Sequence, residues 1–223
     1  RMEQEFEDAY AKALEEKGAI LQLAENRMDE KLLHNQLRKC LDVMLEILQM
    51  NELKVTGCEY RLKVADVLGV IDMTLEDKNG HPVVFDFKWT TWTKGYQEIL
   101  TKNRSIQLEY YRWMLQCDQK DEVKRVAYFI MPDAKLYSKE AFQGKKNCIQ
   151  FHPENDDNIV EQLRQSILYR KEQIASGIIE TNGVYEDLQY VKDTIEKGLF
   201  SLNKNDEGTK EGNFFTQYGL FNK

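Results

Sequence analysis

Residues 69–90 form the part of the sequence whose residue types and spacing could support chemistry. Two apolar runs flank Asn79-Gly80, a dipeptide typical of the turn between two β-strands. The first run contains Asp72, and the second contains Asp86 and Lys88. Two acids and a lysine are unexpected there, because valines and phenylalanines in a hairpin indicate that at least one face is buried.

The length of the turn predicts how the two strands pair. A three-residue loop over residues 78–80, with Gly80 in the left-handed conformation, is a common hairpin connection. It pairs apolar residues with each other, namely Leu75 with Val83 and Met73 with Phe85. The same register places Asp72 directly opposite Asp86, whereas a two-residue loop would slip the pairing by one and mix the faces.

Alternation along the strands predicts two different faces of the hairpin. The apolar face belongs in the core and contains Ile71, Met73, Leu75, Val83, Phe85, Phe87 and Trp89. The other face contains Asp72, Asp86 and Lys88. This polar face is either a functional site or a solvated surface with ordinary ion pairs, and the pattern alone leaves both interpretations open.

A divalent cation would explain why two acids stand opposite each other. Opposed carboxylates have Cβ atoms about 5 Å apart and repel each other, so without a partner the pKa of one would rise. A metal ion between Asp72 and Asp86 would keep both ionised. Lys88, two residues after Asp86 on the same face, could then hold or polarise a water molecule beside the metal.

Together with a later helix, these residues resemble the PD-(D/E)XK nuclease superfamily, in particular its RecB-like branch. That pattern is G-x-x-D, then D/E-x-K on the next strand, then Q-x-x-x-Y on a helix. The corresponding segments here are Gly69-Val-Ile-Asp72, Asp86-Phe-Lys88 and Gln107-Leu-Glu-Tyr-Tyr111. They occur in the right order and on the expected elements, and the resemblance covers roughly residues 30–180.

The resemblance implies a metal centre. It would hold Mg²⁺, or Mn²⁺ in its place, between Asp72, Asp86 and the main-chain carbonyl of Phe87. Relatives complete the metal shell with a histidine on an upstream helix, which His34 in "KLLHNQLRKCL" would supply. Glu59 on the first strand is the rival third ligand, and a single helical histidine is also commonly structural.

The resemblance also implies roles for the remaining motif residues. Asp72, Asp86 and Lys88 would be catalytic, and Gln107 and Tyr111 would bind the substrate. The last two lie at i and i+4, on one helical face, where they could contact phosphates or brace the lysine; Tyr111 could equally be a core residue. Some relatives carry four clustered cysteines around an iron–sulfur cluster. The cysteines here are widely spaced, so no cluster is expected: Cys40, Cys58, Cys117 and Cys148.

The implied activity is hydrolysis of DNA phosphodiester bonds, in single strands or near DNA ends. Relatives of this branch are attached to recombination helicases, so a helicase or another subunit of a DNA repair or recombination complex is the expected partner. Two alternatives stay open. One is a non-catalytic module that uses the fold as a scaffold or DNA-end clamp, and the other is a restriction-type or RNA-processing enzyme.

Composition narrows the class of protein. The net charge of -7 weighs against nonspecific nucleic-acid binding, which usually rests on a basic surface. No apolar run approaches the length of a membrane helix, and no signal peptide is visible, so no membrane partner is expected. The absence of paired cysteine motifs favours reduced thiols. These features predict a cytoplasmic protein.

The order of predicted elements is helices, three strands, a helix, two strands and helices. It indicates an α/β fold with a mixed central sheet flanked by helices, as in a restriction-endonuclease-like core. We expect an N-terminal helical extension over residues 1–50, interrupted at Gly18, and a nuclease core over 51–180. Residues 181–223 would form a C-terminal helix, near 184–197, and a tail packed on the core within one domain.

Overall fold

The computed structural model describes residues 2–177, except residues 66, 120 and 145. The chain divides into two compact units, Arg1–Asp156 and Asp157–Lys223. The expected helix near 184–197 and the tail to residue 223 lie outside the described residues. None of the helices in the described part of the chain is long and apolar enough to cross a membrane.

Helices and strands follow the predicted order apart from one additional helix and one additional strand. The helices are α1 (Met2–Lys17), α2 (Arg27–Met50), α3 (Thr93–Thr101), α4 (Ile106–Gln119) and α5 (Ile159–Ala175). The strands are β1 (Lys54–Val64), β2 (Val67–Glu76), β3 (Pro82–Lys88), β4 (Arg125–Ile130), β5 (Lys135–Ser138) and β6 (Cys148–Gln150). Gly18 follows the last residue of α1, as expected from its poor helix propensity. In the second unit, the side chain of Asn158 caps α5 by accepting a hydrogen bond from the Glu161 N–H.

The strands of the first unit form one six-stranded sheet in the order β1-β2-β3-β4-β5-β6. The β3–β4 and β5–β6 pairs are parallel, and the other three pairs are antiparallel. The sheet is therefore mixed, as predicted. The short strand β5 and the helix α3 were not expected, since four residues are too few to show alternation and α3 merges in the sequence with the start of α4.

Apolar side chains cover both faces of this sheet. One cluster joins the sheet to α4 and includes Val84, Leu108 and Leu115, while the other joins it to α2 and includes Ile47, Val83 and Phe85. Burying apolar area on both sides supplies the main driving force for the fold. The face of the hairpin that carries Asp86 and Lys88 therefore lies against α4.

The register of the β2–β3 hairpin is the predicted one. Met73 pairs with Phe85 and Leu75 pairs with Val83. Gly80 has a φ of 83°, in the left-handed region that glycine tolerates without strain. The three-residue loop therefore sets the register that brings Asp72 towards Asp86.

The expectation that Ile71 shares the face of Leu75 is wrong. Ile71 belongs to the cluster on the α4 side, whereas Leu75 belongs to the cluster on the α2 side. The regular ladder between β2 and β3 ends at the pair Met73–Phe85. On the neighbouring strand, Glu59 has a positive φ of 51° at the same level. The strands are thus irregular around Asp72, and simple alternation fails there.

Candidate active site

The C-terminal end of β3 carries the acidic and basic residues predicted to be catalytic. Asp86 and Lys88 lie two residues apart, so both side chains project from the face that α4 covers. β3 pairs in parallel with β4, which places Tyr128 next to Asp86. The carboxyl ends of parallel strands and a covering helix therefore enclose this group of side chains.

Three side chains form a closed ring of polar contacts at this position. The Lys88 ammonium lies 2.6 Å from Asp86 Oδ2 and donates a hydrogen bond of 2.9 Å to Gln107 Oε1. The amide of Gln107 in turn donates to Asp86 Oδ1 at 2.9 Å. Gln107, on α4, thus holds both Asp86 and Lys88 in place. Its amide nitrogen donates to Asp86 and its amide oxygen accepts from Lys88.

Asp86 is almost fully enclosed, with 1% of its surface exposed. Burial raises the pKa of its carboxyl group; the hydrogen bond and charge of Lys88 oppose this rise, and the negative charge of Asp72 adds to it. Oδ2 lies 2.6 Å from the Lys88 ammonium, so this buried oxygen faces a cation inside the site.

Asp72 approaches from the neighbouring strand, where the ladder has ended. Its Oδ2 accepts a hydrogen bond of 2.6 Å from the backbone N–H of Phe87. The N–H and C=O of one strand residue point to the same side, so the carbonyl of Phe87 also points towards β2. On the opposite side, the carbonyl of Lys88 accepts from the N–H of Met131 at 2.9 Å. The carboxylate of Asp72 therefore replaces a missing backbone partner beside Asp86.

Tyr111 connects this site to the body of α4. Its hydroxyl accepts a hydrogen bond of 3.0 Å from the amide of Gln107, one helical turn earlier. The ring of Tyr111 also packs against the apolar cluster on that side of the sheet. Tyr111 is thus part of the core and also supports Gln107. It combines the core role and the bracing role that the sequence left open.

Gly69 allows α4 to approach β2 at this point. A Cβ atom added there would come within 2.9 Å of Met114 Sδ and 3.4 Å of a ring carbon of Tyr111. The glycine of the G-x-x-D motif therefore has a physical role, because it lets the helix bring Gln107 and Tyr111 over the two aspartates.

We expect Gly69→Val to lower the free energy of unfolding by about 1–3 kcal/mol, since overpacking a close contact costs that much. It should also reduce any activity of the site by displacing Tyr111 and Gln107. Urea denaturation of the purified variant measures the first effect. Val70→Ala changes the adjacent, partly exposed residue and should stay within about 0.5 kcal/mol of wild type. Equal stability of Gly69→Val and wild type would contradict the packing account.

His34 and Glu59 are the two candidates for a third metal ligand, and among the described residues neither is grouped with both aspartates. Nε2 of His34 lies 2.8 Å from Glu7 Oε2, and its ring packs against Phe6 and Tyr10 of α1. Glu59 is exposed on β1. Within the described residues, no three histidine, cysteine, aspartate or glutamate side chains are grouped closely enough to share a metal ion. The structure thus gives no support to either third ligand.

The residues that are present nevertheless fit a magnesium ion. Mg²⁺ is commonly held by one or two carboxylates while it keeps several water molecules and contacts substrate phosphates. Asp72, Asp86, whose Oδ2 already faces a cation, and the carbonyl of Phe87 offer the oxygen ligands that this ion prefers. A third protein side chain is not required for such a site.

Sequence patterns did not identify Tyr128 as a member of the site. Its ring centroid lies 5.7 Å from the Lys88 ammonium, close enough for a cation–π interaction. Burial, followed by the charge of Asp86, raises the pKa of its phenol, so the hydroxyl stays protonated at neutral pH. The position follows from the parallel pairing of β3 with β4, which no local pattern reveals.

Two solved structures are similar to part of the chain. One is an XisH family protein from Nostoc punctiforme PCC 73102, with 17% identity, a TM-score of 0.28, and coverage of 41% of this chain and 66% of that chain. The other is an fdxN element excision controlling factor protein from Anabaena variabilis, with 18% identity, a TM-score of 0.29, and coverage of 42% and 67%. The chain thus spans less than two thirds of the first of these proteins. No curated protein sequence matches it significantly.

The family assignment rests on a match along most of the chain. The family model of the PD-(D/E)XK nuclease superfamily matches residues 1–185. The mixed six-stranded sheet flanked by helices is the restriction-endonuclease-like fold that this match implies. The chain therefore belongs to the PD-(D/E)XK nuclease superfamily.

Proposed function

We propose that this protein is a metal-dependent DNA nuclease of the RecB-like branch, which hydrolyses phosphodiester bonds in single strands or near DNA ends. The observation that carries the proposal is the buried Asp86–Lys88 pair held by Gln107, with Asp72 adjoining it across the break in the ladder. A purely structural role does not explain why a charged pair is buried here with a second carboxylate beside it, since burying charges costs free energy.

The residues of the site would divide the work between them. Asp72, Asp86 and the Phe87 carbonyl would hold Mg²⁺ or Mn²⁺, and His34 or Glu59 would be the third side-chain ligand. The ion, when bound, would supply a water molecule of lowered pKa and stabilise negative charge on the phosphate. Lys88 would donate a hydrogen bond to the attacking water or to a phosphate oxygen. Gln107 keeps the ammonium in place through its carbonyl oxygen.

The Q-x-x-x-Y helix favours the RecB-like branch over other members of the superfamily. Gln107 contacts both charged residues of the D-x-K motif, and Tyr111 braces Gln107. In this arrangement the helix positions the lysine directly, so the three motifs act as one unit. A cytoplasmic role in DNA repair or recombination, alongside a helicase or another subunit of such a complex, follows as part of the same proposal.

A cleavage assay tests this function. End-labelled single-stranded, duplex and circular DNA would be incubated with the protein and Mg²⁺, with and without EDTA. We expect EDTA-sensitive cleavage that is faster on single strands or linear ends than on circles. Absence of metal-dependent cleavage on all three substrates, and on the equivalent RNA, would contradict the nuclease assignment.

Metal binding gives a second test that does not depend on the right substrate. We expect Mn²⁺ to raise the melting temperature, because an ion that binds only the folded state adds about 2.7 kcal/mol at a concentration 100 times its Kd. Differential scanning fluorimetry with and without Mn²⁺ measures the shift. Loss of the shift on adding EDTA is the control, and an unchanged melting temperature at millimolar Mn²⁺ would point to the non-catalytic scaffold instead.

A further inference from the structure

Two exposed tryptophans follow the catalytic strand directly. Trp89 is 53% exposed and Trp92 is 63% exposed, whereas Trp113, the third tryptophan, packs against the core. Tryptophan is usually well buried, because its large ring gains much from leaving water. Trp92, the more exposed of the two and the one whose ring contacts another aromatic ring, is therefore the candidate for a ligand contact.

Trp92 is held in a defined position even though it is exposed. A Cβ atom added at Gly95 would overlap with ring carbons Cζ2, Cη2 and Cε2 of Trp92, so the indole lies directly against the backbone of the first turn of α3. Its backbone N–H donates to Thr90 Oγ1 at 3.0 Å, which orders the loop before the helix. The spacing W-T-K-G thus supports one side of the indole and leaves the rest open to a ligand.

A continuous row of aromatic rings connects Trp92 to the site. The Trp92 ring meets Tyr96 at a centroid distance of 6.3 Å, and Tyr96 meets Tyr128 at 4.9 Å, both edge-on. Tyr128 lies under the Lys88 ammonium and beside Asp86 in the sheet. A strand whose phosphate reached Lys88 could therefore place a base a few nucleotides along on Trp92.

Because the chain is acidic overall, a contact with a base could supply affinity for DNA that basic residues supply elsewhere. A net charge of -7 gives little general attraction for phosphates, which supply most of the affinity in basic DNA-binding proteins. Stacking on an aromatic ring is available for any base, provided that the base is unpaired and can leave its helix. A single exposed indole beside the site would thus favour single strands over intact duplex without reading sequence.

We propose that Trp92 is a stacking platform for an unpaired base within a few nucleotides of the scissile phosphate, positioned by Gly95, and that it selects single-stranded or frayed DNA. This inference rests on the proposed nuclease function and names the substrate feature that the same site recognises. Trp92 acts as a binding residue, and Gly95 acts on substrate only through it.

The test compares strands that differ only in their bases. Fluorescence anisotropy in EDTA would measure binding of the full chain to labelled oligothymidine and to an abasic strand of equal length and charge. We expect wild type to prefer the thymidine strand by about 5- to 150-fold, the range that one stacked base supplies. Trp92→Ala should abolish this preference without changing abasic binding, Trp92→Phe should restore much of it, and Gly95→Ala should weaken it.

Trp89→Ala is the matched control. Trp89 is also an exposed indole, although the sequence placed it on the core face; β3 ends at Lys88, and the described aromatic contacts that join Trp92 to Tyr128 do not include Trp89. It should keep the preference for the thymidine strand. The proposal is overturned if wild type shows no preference, if Trp92→Ala keeps it, or if Trp92→Ala weakens both strands equally. It is also overturned if size-exclusion chromatography shows that Trp92→Ala only dissociates a complex between copies.

The outcome can be separated from that of the nuclease proposal. Binding in EDTA needs no hydrolysis, so a wild-type preference lost in Trp92→Ala would support the platform even if cleavage were absent. Conversely, metal-dependent cleavage that proceeds equally on single strands and on blunt duplex, with unchanged rates in Trp92→Ala, would support the nuclease and reject the platform.

Discussion

Asp86→Asn is expected to lower metal-dependent DNA cleavage by about 100-fold or more, comparable to the loss of one electrostatic contact to a transition state. Asparagine has nearly the same shape, so the sheet should fold as before. The variant lacks the negative charge and one of the two carboxylate oxygens that would bind the metal. The rise in melting temperature caused by Mn²⁺ should therefore disappear with the activity. Initial rates on labelled single strands and melting curves with Mn²⁺ measure the two effects.

Asp77→Asn provides a matched control in the same hairpin. Asp77 accepts hydrogen bonds from the backbone at Asn79 and His81, at the turn and far from the end of β3 that carries Lys88. This variant should lose some stability but keep both cleavage and the metal-dependent shift. If Asp86→Asn cleaved DNA at the wild-type rate while Asp77→Asn did not, the site would have to be sought elsewhere.

Lys88→Met is expected to lower cleavage by about 100-fold while keeping the Mn²⁺ shift in melting temperature. The ammonium pairs with Asp86 in the metal-free protein, so it competes with a metal for that carboxylate. Its removal should leave the metal ligands intact, so it should weaken catalysis but not metal binding. Paired measurements of rate and metal-induced shift separate these two roles.

Lys78→Met is the corresponding control for the loss of a lysine. Lys78 lies in the hairpin turn, is largely exposed and pairs with Glu52 at 2.9 Å. Exposed pairs of this kind contribute little to stability, so we expect both rate and metal shift to match wild type. A Lys88→Met variant that cleaved DNA as fast as Lys78→Met would exclude an ammonium role in catalysis.

Local sequence rules predicted the parts of the site that depend on neighbouring residues along the chain. The length of the loop around Gly80 was enough to set the register of Met73 with Phe85, because a slip by one residue would expose the apolar face. The spacing of Gln107 and Tyr111 likewise placed both on one face of α4, and the structure shows them in contact.

Features that depend on distant parts of the chain were not predictable in this way. Tyr128 enters the site only because β4 pairs in parallel with β3, after a crossover that contains two helices. Ile71 changes face because the ladder ends at Met73, a break that alternation does not anticipate. The support of Trp92 by Gly95 depends on where α3 begins, and α3 itself was not predicted.

A crystal structure of the protein soaked with Mn²⁺ tests the central claim most directly. Anomalous scattering would locate the ion without any assumption about substrate. We predict one manganese peak between the carboxylates of Asp72 and Asp86, within bonding distance of Asp86 Oδ2 and beside the Lys88 ammonium. Manganese bound at another place, or two aspartates that turn away from each other in its presence, would contradict the account.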